Sequence, residues 1–336
     1  MRLNRRQTLS LMGGAAAASG LASPAIARQR AVVGALRLTS HAGSFAAYER
    51  GYFDVAGLDV ELRFFDAAQP MAVAIASGDV DFGITAMTGG LINLAARGAL
   101  RVIGGALQEE PGIDGQKILV SNAAFEDGVR SPADLDGRRF GITQAGSSFH
   151  YMGSKIAAAE GIELEYRPLQ SVGAVIGALQ SGDIDGWSIV PHIATALDGS
   201  GAVHIIGDVA DYIPDYQVTT VFTSRENVDD HRGLTQDFLG AFSRGVADFN
   251  AALVDATEGD SAAEEMLRLI HNYVYTDQPF EEASPSIRAG SMRLSPQAAL
   301  NLDSLRDQLD WFKREDLIDE SIEFDTVVDT SFVETQ

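Results

Sequence analysis

Apolar and polar positions follow two regular patterns along the chain. Residues 31–38 form an almost continuous apolar run and residues 58–64 alternate apolar with polar, and both patterns predict strands. Residues 45–55 and 69–77 have the spacing of helices, and each of these segments is followed closely by a glycine. This alternation of strands and helices continues to about residue 225 and predicts an α/β fold with mainly parallel sheets.

One sequence motif occurs twice. The segment SGDVDFGI from Ser77 to Ile84 recurs as SGDIDGWSI from Ser181 to Ile189. Each copy follows an apolar helical run, and its glycine stands where the helix should end, because glycine adopts the left-handed conformation of a helix C-terminus without strain. Each copy then enters a short apolar run that predicts a buried strand. The repetition predicts two similar lobes with a ligand cleft between them.

The chain should pass between these lobes twice, through a two-segment hinge. We place the crossings near residues 121–122 and at 217–222, so that residues 28–121 and 222–336 form the first lobe and residues 122–221 the second. The remainder of the chain has mainly helical spacing and predicts a helical C-terminal part. One helix there should begin at Ser295, with Pro296 in its first position.

The first 27 residues have the layout of an export signal. Arg5 and Arg6 precede a weakly apolar stretch, and Ala25-Ile26-Ala27 fits the small-residue rule of a signal peptidase site. The surrounding residues 4–9 are typical of a twin-arginine signal, which implies export of a folded protein. An ordinary secretory signal that contains two arginines is the alternative.

Composition excludes several classes of function. The 336 residues carry a net charge of −22, which should repel nucleic acid and anionic membranes. There is no cysteine, which rules out disulfides, thiolate metal sites and cysteine nucleophiles. Motifs of serine hydrolases, zinc proteases and phosphate loops are missing from the sequence. We therefore expect no cofactor, no metal and no catalytic residue.

Ligands of open α/β sheets bind beyond the C-terminal ends of the strands. Four predicted loops follow the C-terminal ends of strands in this way, at residues 39–45, 85–90, 144–149 and 187–192. In the third, Ser147 and Ser148 open a helix whose free N–H groups suit an anion or polar oxygen, although a plain serine cap is the other interpretation. The aromatic ring of Trp187, in the fourth loop, is suited either to stacking on a ligand or to packing in the core. With Gln116 beside the first crossing, the candidate ligand-binding residues are His41, Ser44, Phe45, Thr85, Met87, Thr88, Gln116, Gln144, Ser147, Ser148, Trp187 and His192.

Four segments in this order carry a resemblance to a known family. They are residues 47–53 with Gly57-Leu58, residues 77–83, residues 131–141, and residues 181–187 with Pro191. Together they resemble the periplasmic substrate-binding proteins of nitrate, taurine, alkanesulfonate and thiamine-precursor uptake systems, which have the type II binding-protein fold. The resemblance covers about residues 31–225.

The resemblance implies a monomer that captures a small solute in the periplasm, closes like a hinge and delivers the solute to an ABC permease and its ATPase. By match it implies ligand contacts from His41, Ser44, Thr85, Thr88, Ser147, Ser148 and Trp187. The four loops contain no arginine, so that a weak anion such as a carboxylate, or a neutral heterocycle, fits as well as a sulfonate. The cysteine-rich motif of the family's eukaryotic pyrimidine synthases is missing, which argues against that enzymatic branch.

Two other functions stay open. An exported enzyme on the same scaffold would need a general base in the cleft, and His41 and His192 are the candidates. A ligand-sensing partner of a membrane receptor would carry the same sequence features as a transport protein.

Overall fold

The computed structural model describes residues 28–336, so the predicted export signal lies outside the described residues. The strands are β1 (Gln29–Ala35), β2 (Leu58–Phe64), β3 (Phe82–Thr85), β4 (Leu100–Gly105), β5 (Lys117–Ser121), β6 (Arg139–Ile142), β7 (Glu165–Pro168), β8 (Gly186–Ile189), β9 (Val203–Asp208) and β10 (Thr220–Ser224).

The α-helices alternate with these strands and then dominate the C-terminal part. They are α1 (Ala42–Glu49), α2 (Tyr52–Val55), α3 (Ala68–Ala76), α4 (Gly89–Ala96), α5 (Asn122–Glu126), α6 (Ser148–Glu160), α7 (Val172–Ser181), α8 (Pro191–Gly199), α9 (Arg225–Asp229), α10 (Arg232–Phe249), α11 (Gly259–His271), α12 (Phe280–Ala289), α13 (Leu302–Arg314) and α14 (Phe324–Val327). None of these helices is both long enough and apolar enough to cross a membrane.

The strands form two five-stranded sheets with the same topology. The first sheet has the order β2-β1-β3-β10-β4 and the second the order β7-β6-β8-β5-β9. In the first, β10 is antiparallel to both neighbours, and in the second β5 is antiparallel to both of its own. The remaining strands of each sheet run in one direction. The predicted α/β architecture of two similar, mainly parallel sheets is therefore confirmed.

Both predicted lobe boundaries differ from the observed sheets. The first crossing was expected after β5, but β5 pairs with β8 and β9 and is the fourth strand of the second sheet. The crossing therefore precedes Lys117, and β10, which the boundary at 221/222 divides, lies wholly in the first sheet. We call residues 28–105 and 220–336 the first lobe, residues 117–208 the second lobe, and residues 106–116 and 209–219 the crossing segments.

The repeated motif ends a helix and begins a strand in both lobes. Gly78 and Gly182 adopt φ of +80° and +76°, as the ends of the helices require. The last aspartate of each motif accepts a hydrogen bond from the backbone of a neighbouring strand: Asp81 from Val32 N at 2.7 Å and Asp185 from Arg139 N at 2.9 Å. These carboxylates thus join each motif to the adjacent strand.

Two predicted helices differ from the observed ones. Residues 45–55 form two helices, because the chain turns at Gly51, whose φ is +67°. Residues 295–298 form only a short 3-10 turn, since Gln297 and Ala298 both have φ of +55°. The helix begins instead after Asn301, whose side chain accepts a hydrogen bond from Ser304 N at 3.0 Å.

The two lobes touch each other away from the crossings. Trp311 on α13 donates its indole N–H to Ser154 Oγ on α6 at 2.9 Å. Lys155 on α6 forms an ion pair with Asp307 on α13 at 2.8 Å. Because α6 belongs to the second lobe and α13 follows the last strand of the first, these contacts hold the lobes in a closed arrangement.

Candidate functional site

A cavity of about 60 Å³ lies between the two lobes. Most of its lining residues are apolar, and its polar groups are hydroxyls, one imidazole and one amide. Both lobes and both crossing segments contribute to the wall. The lining residues are Leu36, Leu38, Ser40, His41, Ala67, Ala68, Thr85, Ala86, Leu107, Gln116, Thr143, Ser147, Ser148, Phe149, Val172, Ile189, Val190, Val218 and Thr219.

Helix N-termini from both lobes begin at this cavity. In the first lobe, Ala67 is the N-cap of α3. In the second lobe, Ser147 caps α6 by accepting a hydrogen bond from His150 N at 3.4 Å, Val172 is the first residue of α7, and Val190 is the N-cap of α8. The first N–H groups of a helix have no partner within the helix, and their dipoles favour negative charge or an acceptor oxygen. These helix starts therefore offer N–H donors to a ligand, and no basic side chain lines the cavity among the described residues.

His41 is buried beside the cavity, and its geometry selects one tautomer. Leu36 donates its backbone N–H to Nδ1 of His41 at 3.4 Å, so that the ring proton sits on Nε2. Burial lowers the pKa of His41 to about 3. The ring is therefore neutral at physiological pH and offers a donor N–H on Nε2.

Gln116 brings a buried amide donor without a partner to the cavity wall. Its side chain is buried, it lines the cavity, and its Nε2 makes no hydrogen bond. A buried amide donor without a partner costs about 1–3 kcal/mol, a cost that a ligand acceptor would remove. Behind it, Glu109 Oε1 accepts the backbone N–H of Gln116 at 3.0 Å, and burial raises the pKa of Glu109.

Five of the predicted ligand-binding residues lie together on the cavity wall: His41, Thr85, Gln116, Ser147 and Ser148. Whether each of them contacts a ligand stays a prediction. They come from separate parts of the chain, and the strand ends bring them together as expected from the C-terminal edges of open α/β sheets.

Two more predicted residues, Gln144 and Thr88, do not line the cavity, and both bond to Gln69. Gln144 donates its side-chain N–H to Gln69 Oε1 at 3.4 Å, and Gln69 belongs to the first lobe. Thr88 donates to the same oxygen at 2.9 Å and also caps α4, accepting from Leu91 N at 3.0 Å. Gln144 therefore joins the second lobe to Gln69, and Thr88 holds the same Gln69 oxygen from within the first lobe.

Trp187 does not line the cavity, and of the two interpretations of its ring, ligand stacking and core packing, its burial favours the second. It is fully buried in β8, and its ring centroid lies 5.3 Å from that of Phe149, which does line the cavity. The indole therefore supports Phe149 from behind. A strand side chain points to one of two faces, and here that face is the core.

Three predicted residues of the first lobe are also packed away from the cavity. Phe45 stacks on Tyr273, with ring centroids 4.4 Å apart. Ser44 and Met87 are buried, and Ser44 Oγ has no hydrogen-bond partner. Other residues of the same loops, among them His41 and Thr85, line the cavity, whereas these three side chains are buried away from it.

His192 lies at a different contact between the lobes. It stands near the start of α8, and a Cβ on Gly290, at the end of α12, would lie 2.3 Å from its own Cβ. Tyr275 approaches its ring edge-on at 6.1 Å. Both ring nitrogens are buried without partners, and burial lowers the pKa of His192 to about 3.

Several lining residues were not among the predicted ones. Ser40 stands next to His41 in the loop at residues 39–45, and Thr143 lies between the end of β6 and the loop at residues 144–149. Val218 and Thr219 lie in the second crossing segment, and Leu107 in the first. Their strand-like or apolar pattern gives no sign of a ligand site, because only the meeting of the lobes places them at the cavity.

No charged side chain lines the cavity in the described part of the chain. Within residues 28–336, no cluster of three or more histidine, aspartate or glutamate side chains is arranged to hold a metal ion. The wall offers neutral donors and helix N-termini, with hydroxyl oxygens as acceptors. Such a set can hold an anion or a neutral polar group, whereas it gives a cation no counter-charge.

Solved structures with the same fold include binding proteins and one enzyme. The alkanesulfonate-binding protein SsuA from Xanthomonas axonopodis pv. citri, bound to MOPS, matches with a TM-score of 0.70 at 17% identity, over 90% of this chain and 98% of that one. The periplasmic nitrate-binding protein NrtA from Synechocystis PCC 6803 matches with 0.69 at 14% identity, over 89% and 84%. The desulfurization enzyme DSZB matches with 0.59 at 17% identity, over 91% and 97%.

These structural similarities establish the fold, that of periplasmic binding proteins. None of the curated proteins matches the chain in sequence. A family model, described as NMT1/THI5 like, matches residues 38–252, which is more than half of the 336 residues and includes every strand of the two sheets except β1. The chain therefore belongs to the NMT1/THI5-like family.

Proposed function

We propose that this protein is an extracytoplasmic solute-binding protein that captures a small polar or anionic organic molecule between its lobes and delivers it to an ABC permease and ATPase. The observation that carries the proposal is the cavity between the lobes, which is lined by residues at the helix starts of both lobes. A ligand there contacts both lobes only when they are closed, so that its binding favours the closed state.

The chemical groups on the cavity wall indicate which class of solute the protein binds. Sulfonates, carboxylates and neutral heterocycles all present acceptor oxygens or nitrogens to the helix N-termini and to the N–H groups of His41 and Gln116. The sulfonate- and nitrate-binding proteins with the same fold support this class. Cationic solutes are disfavoured, since no lining carboxylate would pair with them.

The location and the partners belong to the same proposal. Residues 1–27, with Arg5 and Arg6, would direct export through the twin-arginine route, and the mature protein would act in the periplasm as a monomer. A permease and its ATPase would receive the solute from the closed form.

A thermal-shift screen tests the proposal directly. Small sulfonates, carboxylates and heterocycles would be compared on the wild type, on Gln116→Leu, and on Gln180→Leu as a matched control with an exposed glutamine. A ligand at 100 times its Kd adds about 2.7 kcal/mol of stability. We expect the control to keep this gain and Gln116→Leu to lose most of it. Equal stabilisation of all three proteins would place the ligand elsewhere.

An exported enzyme is the second candidate, favoured by the structural match to the desulfurization enzyme DSZB. Among residues 28–336, His41 is the only histidine that lines the cavity, and burial keeps it neutral. We propose binding without turnover, because no acidic or basic side chain of these described residues lines the cavity beside that imidazole. Mass spectrometry of a bound compound after prolonged incubation distinguishes the two: conversion that His41→Gln abolishes would establish the enzyme.

A further inference from the structure

One buried histidine lies at the boundary between the lobes without lining the cavity. His192 is the second residue of α8, in the second lobe, and only 1% of its surface is exposed. Two residues of the first lobe cover it. The backbone of Gly290 lies against the ring, since a Cβ added there would be 2.7 Å from Nδ1, and Tyr275 donates its hydroxyl to the carbonyl oxygen of His192 at 3.3 Å. The burial of this ring therefore depends on closed lobes.

Neither ring nitrogen of His192 has a hydrogen-bond partner among the described residues. The adjacent Gly290 uses its own polar groups elsewhere: it donates its N–H to the carbonyl oxygen of Ser286 at 3.1 Å and accepts the N–H of Met292 at 3.0 Å. Burying a polar group without a partner is costly, and burying it as a cation costs far more. The N-terminal end of α8 adds to this cost, because its dipole disfavours a positive charge. The closed form therefore holds the ring in its neutral state.

No charged side chain near α8 compensates for that cost. The elements packed against α8 are α12, β9 and β5, and Tyr275 lies in the segment before α12. Most of the charged side chains of α8, α12 and that segment are exposed: Asp198, Asp277, Glu281, Glu282 and Arg288. Those of β5 and β9 have partners of their own, since Lys117 pairs with Asp208 and His204 bonds to Asn122 at 2.8 Å. The other titratable groups are Tyr273, which donates to Glu49, and Tyr275.

Two other buried histidines lie near the boundary, but each is bonded within its own lobe. His41 Nδ1 accepts the N–H of Leu36 at 3.4 Å, and His150 Nδ1 accepts the N–H of Gly146 at 3.1 Å. Protonating Nδ1 of either ring would break that bond, because both nitrogens of an imidazolium are donors. Since each partner belongs to the same lobe as its ring, opening leaves this obstacle in place. His192 has no such bond and gains access to water when the lobes part.

We propose that His192 is an acid-sensitive latch between the lobes. The closed form packs the neutral ring under Gly290 and Tyr275, and the open form exposes the ring to water, where it takes up a proton. A proton that binds one form better than the other shifts the equilibrium toward that form, so that acid opens the lobes. The inference goes beyond the proposed function, because it concerns the movement of the lobes and requires no ligand.

The latch is close to the cavity in the chain. Ile189 and Val190 line the cavity, and Val190 is the N-cap of α8, two residues before His192. When the start of α8 moves away from the first lobe, part of the cavity wall moves with it. Opening by acid should therefore also weaken the hold of the site on any solute between the lobes.

The two protonation equilibria set the size of the effect. Burial lowers the pKa of His192 to about 3 in the closed form, and exposure in the open form should return it to about 6–6.5, just below or at its ordinary value because of the helix dipole. The closed form has its full advantage above that open-form pKa and loses it as the pH falls. The ratio of open to closed molecules should rise by about 10- to 25-fold between pH 7 and pH 5.

Hydrogen exchange of the two tryptophan side chains measures this ratio in the ligand-free protein. Trp311 donates its indole N–H to Ser154 Oγ across the lobe boundary at 2.9 Å, whereas Trp187 is fully buried in the second lobe and reports unfolding. NMR would give the protection factor of each indole N–H at pH 7 and pH 5, relative to free indole at the same pH. The proteins would be the wild type, His192→Gln, His192→Leu, and His231→Gln as a control at an exposed histidine. Circular dichroism would establish that each is folded.

We expect the protection factor of Trp311 to fall by about 10- to 25-fold at pH 5 in the wild type and in His231→Gln, and to stay constant in both His192 variants. Trp187 should keep its protection in all four proteins. An unchanged protection factor of Trp311 in the wild type, a fall of the same size in the His192 variants, or an equal loss of protection at Trp187 would overturn the proposal. None of these outcomes bears on solute binding, which the screen with Gln116→Leu tests separately.

Discussion

Gly89 donates its backbone N–H to the carbonyl oxygen of Gly146 at 3.0 Å, across the boundary between the two lobes. Gly89 is the first residue of α4 and Gly146 precedes the Ser147 cap of α6, so that the bond joins the helix starts of two different sheets. It joins backbone to backbone, and it forms only when the lobes are closed.

The left-handed backbone of Gly146, with φ of +71°, makes this approach possible. A Cβ at this position would lie 3.3 Å from Gly89 N and 3.3 Å from Phe312 Cε1. Both atoms belong to the opposite lobe, so that any added side chain presses the lobes apart.

Gly146→Ala should therefore shift the protein toward an open form. Overpacking at such a contact costs about 1–3 kcal/mol, and the closed state bears that cost. Small-angle X-ray scattering of the ligand-free protein should record a larger radius of gyration than for the wild type.

Gly161→Ala is the matched control for this substitution. Gly161 has φ of +68°, but a Cβ there would meet nothing within 4 Å. It should cost comparable backbone strain and leave the radius of gyration unchanged. An increase of the same size in both variants would mean that strain, and not contact between the lobes, causes the effect.

His192 should make stability depend on pH. Burial lowers its folded-state pKa to about 3, below the ordinary value of about 6.5. The neutral His192 ring makes its full contribution to the free energy of unfolding above pH 6.5. This contribution is lost as the pH falls, because the unfolded chain then binds a proton that the folded chain excludes. Between pH 7 and pH 5 this amounts to about 2 kcal/mol.

Urea unfolding of the wild type and of His192→Leu at both pH values measures this effect. The decrease in the free energy of unfolding should be smaller in the variant by about 2 kcal/mol. His41, which is buried to the same extent, remains in both proteins and cancels in the comparison. Equal decreases in the two proteins would contradict burial of the neutral ring.

Glu109 should make the protein less stable as the pH rises, which is the opposite of the effect of His192. Burial raises its pKa, so that ionising it in the folded protein costs stability as the pH rises above the ordinary range of a glutamate. Glu109→Gln removes the charge and keeps an oxygen for the Gln116 N–H. At pH 8 the variant should be more stable by about 1–3 kcal/mol.

This difference should shrink as the pH is lowered to 5, and chemical denaturation at the two pH values would record it. Glu258→Gln, at an exposed glutamate, serves as the control and should change stability little. A variant less stable than the wild type at pH 8 would show that the carboxylate has a stabilising partner after all.

Trp187 should contribute mainly to the stability of the second lobe. Trp187→Ala removes a fully buried ring and should cost about 3–5 kcal/mol in urea unfolding. Tyr48→Ala, at an aromatic side chain that is 43% exposed, should cost less than about 1 kcal/mol. Similar losses in the two variants would contradict the core position of the indole.

The sequence by itself determined the repeated architecture. Glycine stops at Gly78 and Gly182 and apolar runs after them are local signals, because φ preference and side-chain periodicity act within a few residues. The same reasoning placed His41, Thr85, Ser147 and Ser148 at strand ends or helix starts, where open α/β sheets bind ligands.

Only the tertiary structure decided which sheet β5 joins and which side chains reach the cavity. An apolar strand such as β5 is equally suited to the interior of either sheet, and its partners β8 and β9 follow it by more than 60 residues in the chain. Trp187 and Phe149 likewise differ in role because one side chain lies behind the other. The local sequence pattern determines whether a segment forms a helix or a strand, whereas long-range packing determines which surroundings its side chains contact.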